Sequence, residues 1–139
     1  MGLLTYGTLI IQKLPFIVAG LLGIGAVMAF HELGHFVFGK LFNVHVPSFS
    51  IGMGPKLLSK KIGETTFSLS LIPVGAYVEV DNNPETAGSP ERTISAKSYW
   101  QKMLIVSAGI FFNLIFAYCV FVGLSMSGIP ANPIFIKET

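Results

Sequence analysis

Two long uncharged stretches constrain this chain more than any other feature of its sequence. One runs from Leu14 to Phe30 and the other from Met103 to Ser127. Each can cross the hydrocarbon layer of a membrane as a helix, which needs about 20 apolar residues. A hydrophobic fraction of 52% with only 12% charged residues agrees with this. The sequence therefore predicts a protein of the lipid bilayer, with spans at about 14–38 and 103–127.

The charged residues indicate how these spans are oriented. Of the nine Lys and Arg residues, only Lys13 and Lys137 lie outside the segment between the spans. Cytoplasmic loops of membrane proteins carry an excess of such cations. We therefore expect the middle segment on the cytoplasmic side and both termini on the opposite side. The net charge of +2 is small and dispersed, so we expect no nucleic-acid partner.

The segment between the spans alternates apolar and polar residues with the period of two that half-buried strands show. The alternation occurs in three stretches that Gly and Pro residues separate: 46–54, 65–71 and 74–80. The predicted fold is therefore a membrane all-α core of two transmembrane helices, with a small antiparallel β-hairpin region at about 44–80 on the cytoplasmic side.

A polar segment leads from this β region to the second span. Residues 81–97 are rich in turn-forming residues and predict an exposed loop. Ser98 is followed three residues later by Gln101, a spacing that predicts a capping box at the start of the second helix.

A histidine pair with an adjacent glutamate follows the first uncharged stretch, in surroundings where polar groups are costly. His31, Glu32 and His35 fit the pattern H-E-x-x-H. On a helix, residues four apart share a face, so both imidazoles can bind one Zn²⁺ ion at about 2.1 Å. Glu32 lies about 100° round the helix, beside the metal, where its carboxylate can transfer protons. The motif predicts a metal-assisted hydrolase with Zn²⁺ as its cofactor.

Two other interpretations of these three residues remain open. They can form a polar contact between membrane helices, or a relay that carries protons or a metal ion. A carrier predicts function that survives Glu32→Gln, whereas hydrolysis predicts its loss. His45 lies just past the span, beside Pro47, and nothing near it has the spacing of a metal ligand. We expect it to be a surface or interfacial histidine.

The second span has one conspicuous polar residue, Asn113. It forms a stripe with Gly109 and Ala117, so a close approach of the helices would bring its amide towards the histidines. These residues alone leave two roles equally open: an interhelical hydrogen bond, or a contact to the substrate backbone or an oxyanion. In the first span, small residues that include Gly23 and Gly25 predict close packing of helix on helix.

Four motifs occur here in the same order as in the site-2 proteases, intramembrane zinc metalloproteases that include the bacterial regulator-of-sigma-E protease. They are HELGH (31–35), GMGPKL (52–57), SLIPVGAYV (70–78) and AGIFFN (108–113). The chain resembles this family from about Phe16 to Phe121. H-E-x-x-H alone occurs in many zinc enzymes, whereas the four motifs together are specific.

The resemblance implies an endopeptidase that hydrolyses a peptide bond within a transmembrane protein substrate. It makes His31 and His35 zinc ligands and Glu32 the catalytic acid and base, and it favours a substrate-binding role for Asn113. It also implies that the β region reaches the membrane, where its edge can hold an unwound substrate helix as an added strand. The expected location is the bacterial inner membrane, as a multi-pass protein.

Two features depart from the family pattern. Ile110 stands where the last motif has proline, which puts a kink there in doubt. The family's third zinc ligand is an aspartate on a later span, whereas the only aspartate here is Asp81, in the polar loop. Neither Asp81 nor Glu64 nor Glu79 has motif spacing as a substitute ligand.

A catalytic zinc ion normally has three protein ligands and a water. We therefore expect this chain to be the N-terminal portion of a protease whose continuation supplies the third ligand, and to be inactive alone. The alternative function is a truncated, non-catalytic membrane module that binds transmembrane helices.

Overall fold

The computed structural model describes the backbone of residues 2–128 and the side chains of residues 11–128. Lys137, which contributed to the predicted orientation, lies outside the described residues. In chain order the elements are helix α1 (Gly2–Leu41), strands β1 (Ser48–Ile62) and β2 (Thr65–Glu79), the short helix α2 (Pro84–Ala87), a 3-10 turn (Pro90–Arg92) and helix α3 (Tyr99–Met126).

Two of these helices are long and apolar enough to cross a membrane: Ile11–Leu41 within α1, and α3. Large apolar side chains on both are exposed, as at Phe16 (79%) and Tyr118 (70%). A helix that is apolar on all sides suits lipid or the interior of a larger assembly better than water. The predicted pair of apolar helices is therefore present. Helix α1 extends beyond the predicted limits at both ends, and Pro15 lies inside it.

Helices α1 and α3 pack closely at the level of the histidines. A Cβ atom added to Gly34 would meet the carbonyl oxygen of Ala108 and come within 2.6 Å of its carbonyl carbon. Phe30 and Phe116 stack next to this contact, with ring centroids 4.3 Å apart. The absent side chain at Gly34 thus allows the two backbones to approach each other.

The two earlier glycines of α1 behave differently. A Cβ atom at Gly23 would meet nothing within 4 Å in the described part of the chain, and one at Gly25 would meet the carbonyl oxygen of Pro73 in β2. The prediction of helix-on-helix packing was therefore wrong for Gly25, because β2, not α3, covers this residue. For Gly23 it stays a prediction, since nothing in the described part of the chain contacts that position.

Strands β1 and β2 pair antiparallel, as predicted, but they are longer than the sequence pattern indicated. Both strands bend at glycines with positive φ: Gly52 (84°), Gly54 (85°) and Gly75 (92°). Such φ values suit glycine, which has no Cβ atom. Because of these bends, residues 48–51 lie between two parts of β2. They pair antiparallel with 76–79, whereas their partners in 66–69 run in the same direction.

The sheet is attached along the second half of α1. The rings of Phe36, Phe49 and Phe67 form a cluster with centroids 5.5–5.8 Å apart. The sheet meets α1 at Gly25 through Pro73, as described above. Near the other end of the helix, Lys40 lies 3.8 Å from Glu64 in the β1–β2 turn. Since the histidines lie between these two contacts, the β region flanks the H-E-x-x-H segment.

The polar segment after β2 is more ordered than an exposed loop. Asn83 caps α2, because its side-chain oxygen accepts a hydrogen bond from the backbone N–H of Glu85 at 3.0 Å. Ala87 and Thr93 are only 1% and 2% exposed. The prediction of an exposed loop was therefore wrong at these residues, since the turn residues build a cap and a short helix.

The predicted capping box at the start of α3 is confirmed. The Ser98 hydroxyl accepts from the backbone N–H of Gln101 at 3.4 Å, and the Gln101 side chain accepts from the backbone N–H of Ser98 at 3.0 Å.

A bidentate ion pair links the β1–β2 turn to the polar segment. The two terminal guanidinium nitrogens of Arg92 both donate to the Glu64 carboxylate, and Lys40 lies close by. The hydrogen bond from Arg92 and the charges of Arg92 and Lys40 hold the pKa of Glu64 below its ordinary value of 4.5. A carboxylate with a lowered pKa in the folded state stabilises that state above its ordinary pKa. This contribution is lost as the pH falls through the lowered value.

We therefore expect Glu64→Gln to reduce the melting temperature at pH 7, by an amount that shrinks as the pH falls below about 4.5. Thermal unfolding of the detergent-purified protein at several pH values measures this difference. Glu91→Gln is the matched control, because Glu91 is an exposed carboxylate next to Arg92 in the polar segment. A difference that stays constant down to pH 3 would contradict the role of this ion pair.

Candidate metal centre

The two histidines of the motif lie on one face of α1 and point towards α3. Their ring centroids are 4.8 Å apart and the rings are nearly perpendicular, at 78°. Both residues are half-buried. A Cβ atom added to Gly109 of α3 would come within 2.6 Å of Nε2 of His31 and 2.7 Å of Nε2 of His35. The two Nε2 atoms therefore converge on one point beside Gly109.

A backbone carbonyl holds the second of these imidazoles. Nδ1 of His35 lies 2.7 Å from the carbonyl oxygen of Ile105, which is 2% exposed. A carbonyl can only accept, so Nδ1 of His35 carries the proton and donates. The lone pair of His35 is then on Nε2, the atom that points to Gly109, and is available to a metal ion.

The first imidazole contacts the polar residue of α3. Nδ1 of His31 lies 3.2 Å from the side-chain amide of Asn113. Helices α1 and α3 therefore bring Asn113 to the histidine face, as the stripe on the second span predicts. Asn113 also lines an open apolar groove of about 510 Å³ that includes Val27 of α1 and Phe116 of α3.

Glu32 follows His31 on α1 and is half-buried. Helix geometry places it about 100° round the axis from His31, beside the face that carries the two imidazoles. Among the described residues, no group donates a hydrogen bond to the carboxylate oxygens of Glu32.

The chemistry of the donors fits a zinc ion. Two neutral imidazoles whose Nε2 atoms converge, each with its Nδ1 held by another group, are typical of histidine ligands of zinc. Within the described part of the chain, no three His, Cys, Asp or Glu side chains are grouped so that they could hold one metal ion. The residues present thus fit two protein ligands of a centre that usually has three.

Two of the three acidic residues considered as substitute ligands, Asp81 and Glu64, are engaged elsewhere. Asp81 accepts from His45 at 3.0 Å, and the hydroxyl of Thr86 donates to its other carboxylate oxygen at 2.7 Å. These hydrogen bonds, first that of Thr86 and then that of His45, lower the pKa of Asp81. Glu64 pairs with Arg92. Both carboxylates therefore serve the polar segment rather than the histidine pair.

The expectation for His45 was incomplete. Its side chain is only 14% exposed, and it forms a hydrogen bond with the carboxylate of Asp81, whose side chain is 12% exposed. The backbone also joins them, since the N–H of Asp81 donates to the carbonyl of His45 at 3.0 Å. His45 is thus a structural residue between α1 and the polar segment, which its sequence position beside Pro47 does not reveal.

Two contacts of the centre could not be predicted from the sequence. The carbonyl of Ile105 has no sequence signal, because every residue has a backbone carbonyl and only the helix packing selects this one. Gly34 was visible as a small residue between the histidines, but its contact with Ala108 depends on the approach of α3.

Comparison with known proteins identifies the family. The model of peptidase family M50 matches residues 19–137. The chain belongs to this family. The M50 match extends over most of the sequence and includes the H-E-x-x-H helix, the strands and α3, in agreement with the resemblance to site-2 proteases.

Curated relatives carry the name "Putative zinc metalloprotease". One from Clostridium perfringens is 40% identical over 112 residues, which are 81% of this M50 chain and 33% of the relative. Another from Clostridium acetobutylicum is 42% identical over 111 residues, which are 80% of this chain and 32% of the relative. A third, from Thermotoga maritima, is 41% identical over 107 residues, which are 74% of this chain and 21% of the relative. The chain therefore spans about a third or less of the length of these relatives.

Proposed function

We propose that this chain forms the N-terminal part of an intramembrane zinc endopeptidase, which cleaves a peptide bond within a transmembrane protein substrate. The observation that carries the proposal is the convergence of the two Nε2 atoms beside Gly109. Glu32 is the residue after His31 on the same helix. Membership of the M50 family and the two apolar helices support the same function.

In this proposal His31 and His35 hold the zinc ion through Nε2. When bound, the ion supplies Lewis acidity that activates water and polarises the scissile carbonyl. Glu32 takes the proton of the attacking water and returns it to the amine that leaves when the C–N bond breaks. The third protein ligand comes from a part of the enzyme outside the described residues.

The β region is proposed to hold the substrate. A transmembrane helix hides its carbonyl groups in i to i+4 hydrogen bonds, so the segment to be cut must first unwind. An edge of the sheet can replace these hydrogen bonds by pairing with the unwound segment as an extra strand. In support, the sheet flanks α1 from Gly25 to Lys40, the stretch that contains the histidines.

Asn113 is proposed to contact the substrate as well. Its amide lies on the apolar groove between α1 and α3, and it is the only polar side chain among the described residues that line this groove. An amide in such surroundings favours a polar partner from a bound peptide, because a buried group without a hydrogen bond is costly.

The proposed location is a bacterial inner membrane, with the segment between the spans on the cytoplasmic side. The cation-rich middle segment supports this orientation. His35 lies six residues before the end of α1, about 9 Å along the helix axis. Water therefore reaches the centre over a short distance from that side.

The test uses the protein expressed from its complete gene and reconstituted in vesicles with single-span reporter proteins. The reporters differ in the helix-breaking residues of their transmembrane segment, and mass spectrometry locates each cut. The proposal expects cuts inside the membrane segment that a zinc chelator prevents. Cuts confined to the soluble parts, or stable capture of reporters without any cleavage, would contradict it. The latter result would favour the non-catalytic membrane module.

A further inference from the structure

The side chain of Asn113 has an unbalanced set of hydrogen bonds. Its Nδ2 atom lies 3.2 Å from Nδ1 of His31. Its Oδ1 atom is buried and has no hydrogen-bond partner among the described residues. Buried polar atoms nearly always find a partner, so this arrangement needs an explanation.

The tautomer of His31 supplies the explanation. A neutral imidazole has one N–H and one lone pair. If Nδ2 of Asn113 donated to Nδ1, the proton of His31 would be on Nε2, the atom that points to Gly109, and this atom could not bind a metal ion. If Nδ1 carries the proton, Nε2 is free to bind, but Nδ1–H then needs an acceptor.

The amide of Asn113 can provide this acceptor by a half-turn about its terminal bond. The oxygen and nitrogen of an amide have nearly the same shape, so hydrogen-bond balance decides which one faces a neighbour. After the half-turn, Oδ1 lies where it accepts from Nδ1–H of His31 and is no longer unpaired. The NH₂ group then takes the buried position that Oδ1 held, beside the groove that Asn113 lines.

We propose that Asn113 is a positioning residue of the metal centre: its Oδ1 accepts a hydrogen bond from Nδ1–H of His31 and thereby directs the lone pair of Nε2 to the metal. The inference rests on the proposed function for the identity of the metal. It makes Asn113 the counterpart of the Ile105 carbonyl, which holds His35 in the same tautomer.

The placement of these groups along α3 supports this pairing. Ile105, Gly109 and Asn113 follow one another at intervals of four residues, so they lie on one side of the helix. His35 faces the first, His31 faces the last, and both Nε2 atoms face the glycine between them. One stripe of α3 thus provides both acceptors and the space between them.

The experiment compares two isosteric replacements, Asn113→Asp and Asn113→Leu, in the protein expressed from its complete gene. Aspartate keeps an acceptor for Nδ1–H, whereas leucine removes it. Zinc affinity is measured by competition with a chromophoric chelator, and Co²⁺ absorption reports the geometry of the centre. We expect Asn113→Leu to weaken zinc binding by about 10–100-fold, as loss of a hydrogen bond to a ligand does. Asn113→Asp is expected to bind at least as well as wild type.

A second readout is independent of metal binding. Magic-angle-spinning NMR of protein labelled with ¹⁵N-histidine, with His31 assigned through His31→Gln, reports which nitrogen carries the proton. In metal-free wild type we expect the proton on Nδ1, and in Asn113→Leu a shift of population to Nε2. Equal tautomer populations in the two proteins would overturn the inference, as would equal zinc affinity of folded Asn113→Leu and wild type. If wild type binds no zinc, the proposed function fails, and the metal-free spectrum still decides the role of Asn113.

Discussion

Replacement of Glu32 by glutamine is expected to reduce peptide-bond cleavage by about 10²–10⁴-fold, the range that general acid–base catalysis contributes. Glutamine has nearly the same shape as glutamate but cannot accept and return a proton. Glu32 is the residue after His31 on α1, so helix geometry places it about 100° round the axis from the face where the two Nε2 atoms converge. The zinc content of the variant should therefore equal that of wild type.

Both quantities are measured on the same preparation of the protein expressed from its complete gene. Initial rates with a reporter that wild type cleaves give the loss of activity, and elemental analysis gives the zinc content. Glu91→Gln is a suitable control, because it removes an exposed carboxylate of the polar segment. Cleavage by Glu32→Gln at the wild-type rate would exclude this role for the carboxylate. Transport of protons or a metal ion that survives the replacement would instead favour a carrier.

Replacement of Gly109 by alanine is expected to weaken zinc binding by about 100-fold or more. Mutations of the groups that hold metal ligands typically lower the affinity by about 10–100-fold, so this loss is at or above the upper end of that range. The added Cβ atom would lie 2.6 Å from Nε2 and Cε1 of His31 and 2.7 Å from Nε2 of His35. These separations are far shorter than van der Waals contact. Since Ile105 and Asn113 hold the Nδ1 side of each ring, the imidazoles cannot move aside without losing those hydrogen bonds.

The control for this change is Gly123→Ala, on the same helix. A Cβ atom at Gly123 would meet nothing within 4 Å in the described part of the chain. Both replacements add the same methyl group and raise helix propensity equally, so their difference isolates the contact with the imidazoles. Chelator competition should show unchanged affinity for Gly123→Ala. Wild-type affinity in Gly109→Ala would contradict the position given to the metal.

The sequence was sufficient to predict the features that depend on local periodicity. The spacing of His31 and His35 requires only a helix to bring both imidazoles to one face. The uncharged stretches predicted the two apolar helices, and Ser98 with Gln101 predicted the start of α3. In each case the interacting groups are within a few residues of one another, so the chain itself determines the geometry.

Features that depend on the packing of distant segments could not be predicted in this way. Residues 55–62 do not alternate, and Pro55 with its neighbouring glycines indicated a turn, yet they extend β1 because β2 pairs with them. His45 and Asp81 are far apart in sequence and meet only through the fold. The carbonyl of Ile105 became part of the centre because Gly34 lets α3 approach α1.

The most direct test of the central claim is the zinc content of the protein expressed from its complete gene, beside His31→Ala and His35→Ala. If these two histidines hold the metal, elemental analysis will find one zinc ion per chain in wild type and a clear loss in each variant, while Glu32→Gln keeps it. Zinc at the wild-type level in both histidine variants, or no zinc in wild type, would contradict a metal centre at this site.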